Sequence, residues 1–251
     1  MAKNGLSVPN RSQITRALAA WPILLAAALI GSLLGAAVYQ LIPPPYRTEA
    51  RVVLDQNLEE AVPVGNDRDV MYYLQRETQK LEEVAWSDAV LARVAEKVGF
   101  ASISQLRGGM LQLSQPSDGG WRFYGIHKMP GNSKQLAAAW AEAFTDEVRR
   151  SVAASIQLQA TRAELAALPA GTDPATVEKR TQLEAQAAQL EETARGIHPF
   201  AQVSISQKKD LSTARIAGMG PYLFAGAMSA LFIALVFLAI SGEVRESNVD
   251  D

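Results

Sequence analysis

The chain has 251 residues, with 24 Lys and Arg against 26 Asp and Glu, two His and no Cys, and 48% of it is apolar. The nearly balanced charge excludes a nucleic-acid binder that works by neutralising phosphates, and the absence of Cys excludes a disulfide scaffold, a Cys-ligated metal and a thiol nucleophile. No charge occurs in residues 17–46 or in residues 216–242, and two such uncharged blocks near the ends exclude an ordinary cytosolic enzyme.

The two uncharged blocks predict transmembrane helices at residues 17–42 and 216–241, since about 20 apolar residues cross a bilayer core of about 30 Å. The N-terminal tail, residues 1–16, has three cations and no acid, which favours a cytoplasmic N-terminus. Both tails, residues 1–16 and 242–251, are then cytoplasmic, and the segment between the helices lies outside the cytoplasmic (inner) membrane. The alternative for the first block is a cleaved signal peptide, although its uncharged run exceeds the usual 7–15 residues.

Small residues recur every four positions in both blocks, which places them on one face of each helix. Such a face allows close helix packing, either within one chain or between chains. The alternative is chance, because Gly and Ala are common in membrane helices. The candidate packing residues are Ala27, Gly31, Gly35, Gly226, Ala230 and Ala234.

The chain leaves the first block through Pro43, Pro44, Pro45 and Tyr46. Three prolines cannot continue a helix, so this exit is expected to be stiff and extended. Apolar residues then alternate with charged ones up to Asp55, which predicts a first strand.

Two amphipathic helices are expected next, at Val70–Glu83 and at Ser87–Val98. Ser87 is the expected N-cap of the second helix and Gly99 its stop signal. The segments Met110–Ser114 and Trp121–His127 predict a β-hairpin around the Pro- and Gly-containing turn between them.

A long helix capped by Asn132 or Ser133 is expected to run to about Leu168. Its large residues recur every four positions, so the apolar stripe turns about 40° per step and winds around the helix. Such a stripe indicates partners on more than one side, including a neighbouring subunit, or else a helix embedded in one large core. The stripe consists of Leu136, Trp140, Phe144, Val148, Val152 and Ile156.

A second helix, with Asp173 as N-cap and Pro174 as its first residue, is expected to end near Arg195 and to form an antiparallel hairpin with the first. A last strand at residues 201–206 is expected to pair with the first strand. The predicted fold is an α+β membrane protein in which two transmembrane helices flank an extracytoplasmic α+β base domain with a protruding antiparallel helical hairpin. The base comprises residues 43–132 and the returning segment 197–215, and the hairpin comprises residues 133–196.

Several short motifs, taken in this order, resemble the polysaccharide co-polymerase family, the Wzz-type chain-length determinants of bacterial surface polysaccharides. They are the span that ends in Pro43–Ala50, the segment Leu74–Leu81, and the segment Ser87–Leu91 with Val94 and Gly99. The helical hairpin, the strand and the second span follow as in that family. The family's Asp-Pro-rich start of the long helix is absent here, and its Pro-rich entry to the second span is reduced to Pro221.

The resemblance implies a bell-shaped homo-oligomer in the bilayer of the cytoplasmic membrane. It implies partnership with a membrane polysaccharide polymerase and its lipid-linked glycan, and control of the chain length of an O-antigen, capsule or exopolysaccharide. It also implies a protein without catalytic residues or cofactors. Two alternatives stay open: an adaptor that activates a separate cytoplasmic tyrosine kinase, and a two-span extracytoplasmic sensor.

The residues themselves predict no catalytic, cofactor or metal site. His127 and His198 have no second ligand at metal-binding spacing, and no phosphate-binding or hydrolase motif occurs. Trp121, Phe123 and Tyr124 can be interpreted as a sugar-stacking surface or, because strand alternation puts the first two on one face, as core. We therefore expect a non-enzymatic protein.

Overall fold

The computed structural model describes residues 20–56, 67–114, 120–169, 173–206 and 211–247, without the side chains of residues 56, 67–69 and 239–247. The predicted tail 1–16 and most of the turn between the two hairpin strands lie outside the described residues. The elements in chain order are α1 (Trp21–Leu41), β1 (Tyr46–Gln56), α2 (Asp67–Ala85), α3 (Asp88–Val98), α4 (Ile103–Gln105), a π-helical turn (Leu106–Met110), β2 (Leu111–Ser114), β3 (Gly120–His127), α5 (Pro130–Ala167), α6 (Pro174–Ala194), β4 (Ala201–Ile205), β5 (Thr213–Arg215) and α7 (Met219–Ser247). They form two compact units, one containing α1 and α7 and the other extending over Pro45–Ala214.

Each uncharged block contains a long helix, and Trp21–Leu41 and Met219–Leu238 are long and apolar enough to cross a membrane. The second helix continues to Ser247, six residues past the predicted end of the span at residue 241. The continuation is physically reasonable, because the residues after Gly242 include Glu, Val and Arg and no Pro that would stop a helix.

The second unit is built on a five-stranded sheet with the strand order β2-β3-β1-β4, and β5 pairs with β1. The predicted hairpin is confirmed, because β2 and β3 are antiparallel neighbours. The predicted pairing of the first and last strands is also confirmed, since Val52 of β1 lies opposite Ile205 of β4. The short strand β5 was not predicted, because three residues are too few to show alternation.

The two predicted amphipathic helices are present, and the caps of the second one are confirmed. The Ser87 hydroxyl accepts a hydrogen bond from the Val90 amide, and Gly99 adopts a left-handed conformation at the C-terminus of α3. The first of them, α2, begins at Asp67, three residues before the predicted start. Apolar residues cannot mark this first turn, because it consists of Asp67, Arg68 and Asp69.

The long helix begins at Pro130, with Met129 as the N-cap residue, so the predicted caps Asn132 and Ser133 are wrong. The Ser133 hydroxyl instead donates to the carbonyl of Gly125 on β3, at 3.0 Å. The Thr48 hydroxyl lies 2.6 Å from that of Ser133 and can donate to it. Proline at the first helical position has no N–H to leave unbonded and fixes the required φ angle, which favours a helix start at Pro130.

Gly125 lets α5 lie directly on the sheet. A Cβ atom at this position would come within 2.6 Å of the Ala137 amide nitrogen and 2.7 Å of the Leu136 Cβ. The first half of α5 therefore lies on the face that β1 and β3 share, and its buried side chains join those of the sheet, α2 and α3 in one core. The largest fully buried side chains of this core include Trp140, Phe123 and Phe144.

Candidate functional site

The closest approach of α1 and α7 occurs at three glycines from the predicted small-residue faces. A Cβ atom at Gly31 would lie 2.8 Å from the carbonyl carbon of Gly226, and one at Gly35 would lie 2.8 Å from that of Tyr222. A Cβ atom at Gly226 would lie 3.0 Å from the Gly31 carbonyl carbon. The contact is therefore backbone against backbone, and it is made within one chain.

Of the predicted alanines, Ala230 lies at this tight contact, since a Cβ atom at Gly31 would come within 2.6 Å of the Ala230 Cβ. Ala27 and Ala234 line an apolar groove of about 360 Å³ between the two helices, and Ala230 lines it too. The helix pair is also held beyond Gly35, where the Tyr39 and Tyr222 rings meet edge to face at 5.3 Å and Arg215 stacks on the Tyr39 ring. The close contacts between α1 and α7 thus include glycine backbone and a pair of aromatic rings, with aliphatic side chains lining the groove.

The membrane-exit residues occupy the connection between α1 and β1. Pro43, Pro44 and Pro45 have no regular secondary structure, and Tyr46 begins β1, where it lies opposite His127 of β3. The prolines separate the last helical turn of α1 from the first strand, as the sequence predicts.

The apolar stripe of α5 leaves the core as it winds around the helix. Its first four members, Leu136, Trp140, Phe144 and Val148, are fully buried. Val152 is half-buried, and Ile156 is 53% exposed. The interpretation of one large core thus describes the first four residues of the stripe, whereas Ile156 lies outside the core.

Beyond Val148, a second set of α5 residues packs on α6, which runs in the opposite direction. Apart from Leu158, the buried α5 residues here are small or polar. They include Ser151 and Ser155, whose hydroxyls donate to the carbonyls of Thr193 and Ile197. Ion pairs join the exposed edges of the helix pair, Arg162 with Glu191 at 3.0 Å and Lys179 with Glu164 at 2.8 Å. The residues on the α6 side are those that the sequence places at heptad-like spacing: Leu183, Ala187, Leu190 and Ala194.

The turn from α6 to β4 is fixed by side chains from two other helices. Arg195 and Gly196 both have positive φ angles there, of 51° and 67°. Lys80 of α2 donates to the Gly196 carbonyl at 2.6 Å and also bonds the buried carboxylate of Glu77. Together with the two serine bonds from α5, these contacts hold the end of α6 against the core.

A buried carboxylate, which sequence reasoning missed, lies beside this turn. Glu147 of α5 is 4% exposed and forms ion pairs with Arg93 of α3, Arg150 of α5 and Arg195 at the end of α6. A glutamate at a mid-helix position is normally solvated, so the sequence offers no signal for its burial.

The sugar-stacking interpretation of Trp121, Phe123 and Tyr124 is wrong. Their exposed fractions are 2%, 0% and 9%, because all three contribute to the packed sheet. Phe123 lies 4.9 Å from both the Trp140 and the Phe144 rings, and Arg47 stacks on the Tyr124 ring. Trp121 and Phe123 belong to the core and Tyr124 is covered, so none of the three is exposed as a ligand surface.

The two histidines make local contacts. His127 accepts a hydrogen bond from the Met129 amide, and its ring meets Phe100 edge to face. His198 packs between Tyr73 and Phe200.

Burial and the nearby carboxylate of Glu77 raise the pKa of Tyr73 above its usual value. Within the described ranges, no group of three or more His, Asp or Glu is placed to hold a metal ion.

Comparison of the chain with protein-family models and with curated protein sequences finds no match.

Proposed function

We propose that the protein is a non-enzymatic, homo-oligomeric scaffold of the cytoplasmic membrane that regulates the chain length of a bacterial surface polysaccharide. The segment between the two spans would lie outside the cytoplasm, with the α5–α6 pair protruding from the base. The main support is the order of elements. Two apolar helices flank, in sequence, the segment that forms a sheet in which strands β1 and β4 adjoin, and the α5–α6 pair lies between β3 and β4 along the chain.

This order is the one that the family resemblance implies. The motifs that carry the resemblance lie in the elements that the resemblance implies. The three prolines precede β1, Leu74–Leu81 belongs to α2, and Ser87–Leu91 forms the N-cap and first turn of α3. The resemblance assigns the chemistry of polymerisation to a separate membrane polymerase, with this protein as a scaffold beside it.

The decisive experiment compares the length distribution of the host's surface polysaccharide on a gel with and without the gene. A lost or shifted modal length is the expected result. Loss of all polymer would instead support a role in export or kinase activation, and an unchanged pattern would overturn the proposal.

The oligomeric state gives an independent test. We expect a stable ring of many copies in mild detergent, measured by light scattering or electron microscopy. A homogeneous monomer or dimer would contradict the scaffold and favour the two-span sensor.

A further inference from the structure

Three arginines from three helices converge on one carboxylate in the second unit. Arg150 Nη1 lies 3.3 Å from Glu147 Oε2, Arg195 Nη2 lies 3.5 Å from Oε1, and Arg93 also bonds Oε2. Since all three guanidinium groups contact the same carboxylate, they also lie close to one another. The helices α3, α5 and α6 thus bring together charges that are far apart in the sequence.

The guanidinium groups cover the carboxylate on its solvent side. The Glu147 side chain is only 5% exposed, whereas those of Arg93, Arg195 and Arg150 are 30%, 36% and 57% exposed. Solvent therefore meets the outer edges of three cations instead of the anion beneath them. Each guanidinium has five N–H donors, so donors remain for a second acceptor after Glu147 is satisfied.

The neighbouring charges leave this cluster positive. Asp146, the adjacent acid on α5, lies near Arg149 at 3.9 Å, and Lys97 of α3 pairs with Glu142 of α5. Three arginines around one carboxylate leave two positive charges in excess, although one arginine would neutralise Glu147. Arg195 reaches this position with a φ of 51°, the one positive φ among the non-glycine residues that the structure describes. This left-handed conformation ends α6 and directs the Arg195 side chain from the C-cap position.

We infer that Arg93, Arg150 and Arg195 form a binding site for a phosphate group. Arginine forks bind phosphate through paired, charge-assisted hydrogen bonds, and donors from three directions suit a tetrahedral oxyanion. Glu147 is the buried counter-charge that holds the three guanidinium groups together when no phosphate is bound. The inference depends only on these side chains and holds whether or not the protein controls polysaccharide length.

The test is equilibrium dialysis of the full chain in a phosphate-free maltoside detergent against radiolabelled inorganic phosphate. We expect saturable binding of one phosphate per chain. The Arg150→Gln variant should raise Kd about tenfold or more, because it removes one charge-assisted hydrogen-bonding partner. This variant is expected to fold, since Arg93 and Arg195 still neutralise Glu147.

Arg162→Gln is the matched control. Arg162 lies on the same helix, has the same 57% exposure and pairs with a single glutamate, but it lies outside the cluster. Its Kd should equal that of the parent chain. Competition with glucose 1-phosphate and with phosphatidylglycerol then shows which phosphate compound the site prefers. Stronger displacement by the sugar phosphate indicates a phosphorylated glycan, and stronger displacement by the lipid indicates a lipid headgroup. If neither compound displaces the label, the ligand is free phosphate. Non-saturable binding, or equal Kd values for the two variants, would overturn the site.

Discussion

Adding a single methyl group at Gly31 should force α1 and α7 apart. In Gly31→Ala the new Cβ would lie 2.6 Å from the Ala230 Cβ and 2.8 Å from the Gly226 carbonyl carbon. Ordinary carbon–carbon contacts are about 3.5–4.0 Å, so the helices must separate by roughly 1 Å. Overpacking of this kind costs about 1–3 kcal/mol, and the higher helix propensity of Ala returns up to about 1 kcal/mol. The net loss in helix-pair stability is therefore between about 0 and 3 kcal/mol, and relative to a Gly→Ala change in open space it is about 1–3 kcal/mol.

The assay is an SDS titration that follows the distance between spin labels on the two helices. The chain has no Cys, so labels at Leu33→Cys and Phe232→Cys are unique, and both positions are about 70% exposed. Gly220→Ala is the control, because a Cβ atom there meets nothing within 4 Å. Equal stability of the Gly31 and Gly220 variants would refute the reasoning. If Gly31→Ala alters only the oligomer size, the small-residue face packs between chains.

Three further variants test the second unit. Glu147→Gln should lower the free energy of unfolding by about 1–3 kcal/mol in a urea titration, because three partly solvated arginines lose a charge-assisted hydrogen-bond acceptor, whereas the exposed Glu164→Gln should change it by less than about 1 kcal/mol. Tyr73 should ionise only above pH 10, because burial and Glu77 raise its pKa. The measurement is the absorbance of ionised tyrosine during a pH titration of the parent chain and of Tyr73→Phe, and the difference between the two curves reports Tyr73. The stability that neutral Tyr73 provides is present below pH 10 and is lost as the pH rises through the raised pKa. A Tyr73 hydroxyl that ionises at or below pH 10 would contradict the raised pKa. Trp140→Phe should cost about 2–4 kcal/mol in the same urea assay, because it leaves a cavity and an unbonded carbonyl at the end of α2; a loss below about 1 kcal/mol would argue against that buried bond.

Local sequence signals were sufficient where the physical cause is itself local. The alternation in β1 reflects one buried face, since Thr48, Ala50 and Val52 are at most 1% exposed. Ser87 and Gly99 mark the ends of α3 because a cap depends on only a few neighbouring residues. The apolar blocks were equally clear, because their length and lack of charge are properties of the segments themselves.

Sequence reasoning failed where a side chain has a partner far along the chain. Ser133 suits a helix cap, but its hydroxyl bonds Gly125 and Thr48, the second of which is 85 residues away. Glu147 resembles any solvated helical glutamate, yet Arg93 lies 54 residues before it on another helix. Such partners are brought together by the tertiary structure, and periodicity within a single segment carries no information about them.

Polar contacts to the backbone determine where α6 ends. Large apolar side chains tolerate small shifts between helices, whereas a hydroxyl that donates to a particular carbonyl fixes the register of the two helices. Ser151 and Ser155 make such bonds to the carbonyls of Thr193 and Ile197, and Lys80 bonds the carbonyl of Gly196 between them. The direction in which the α5–α6 pair leaves the core is therefore set at this turn.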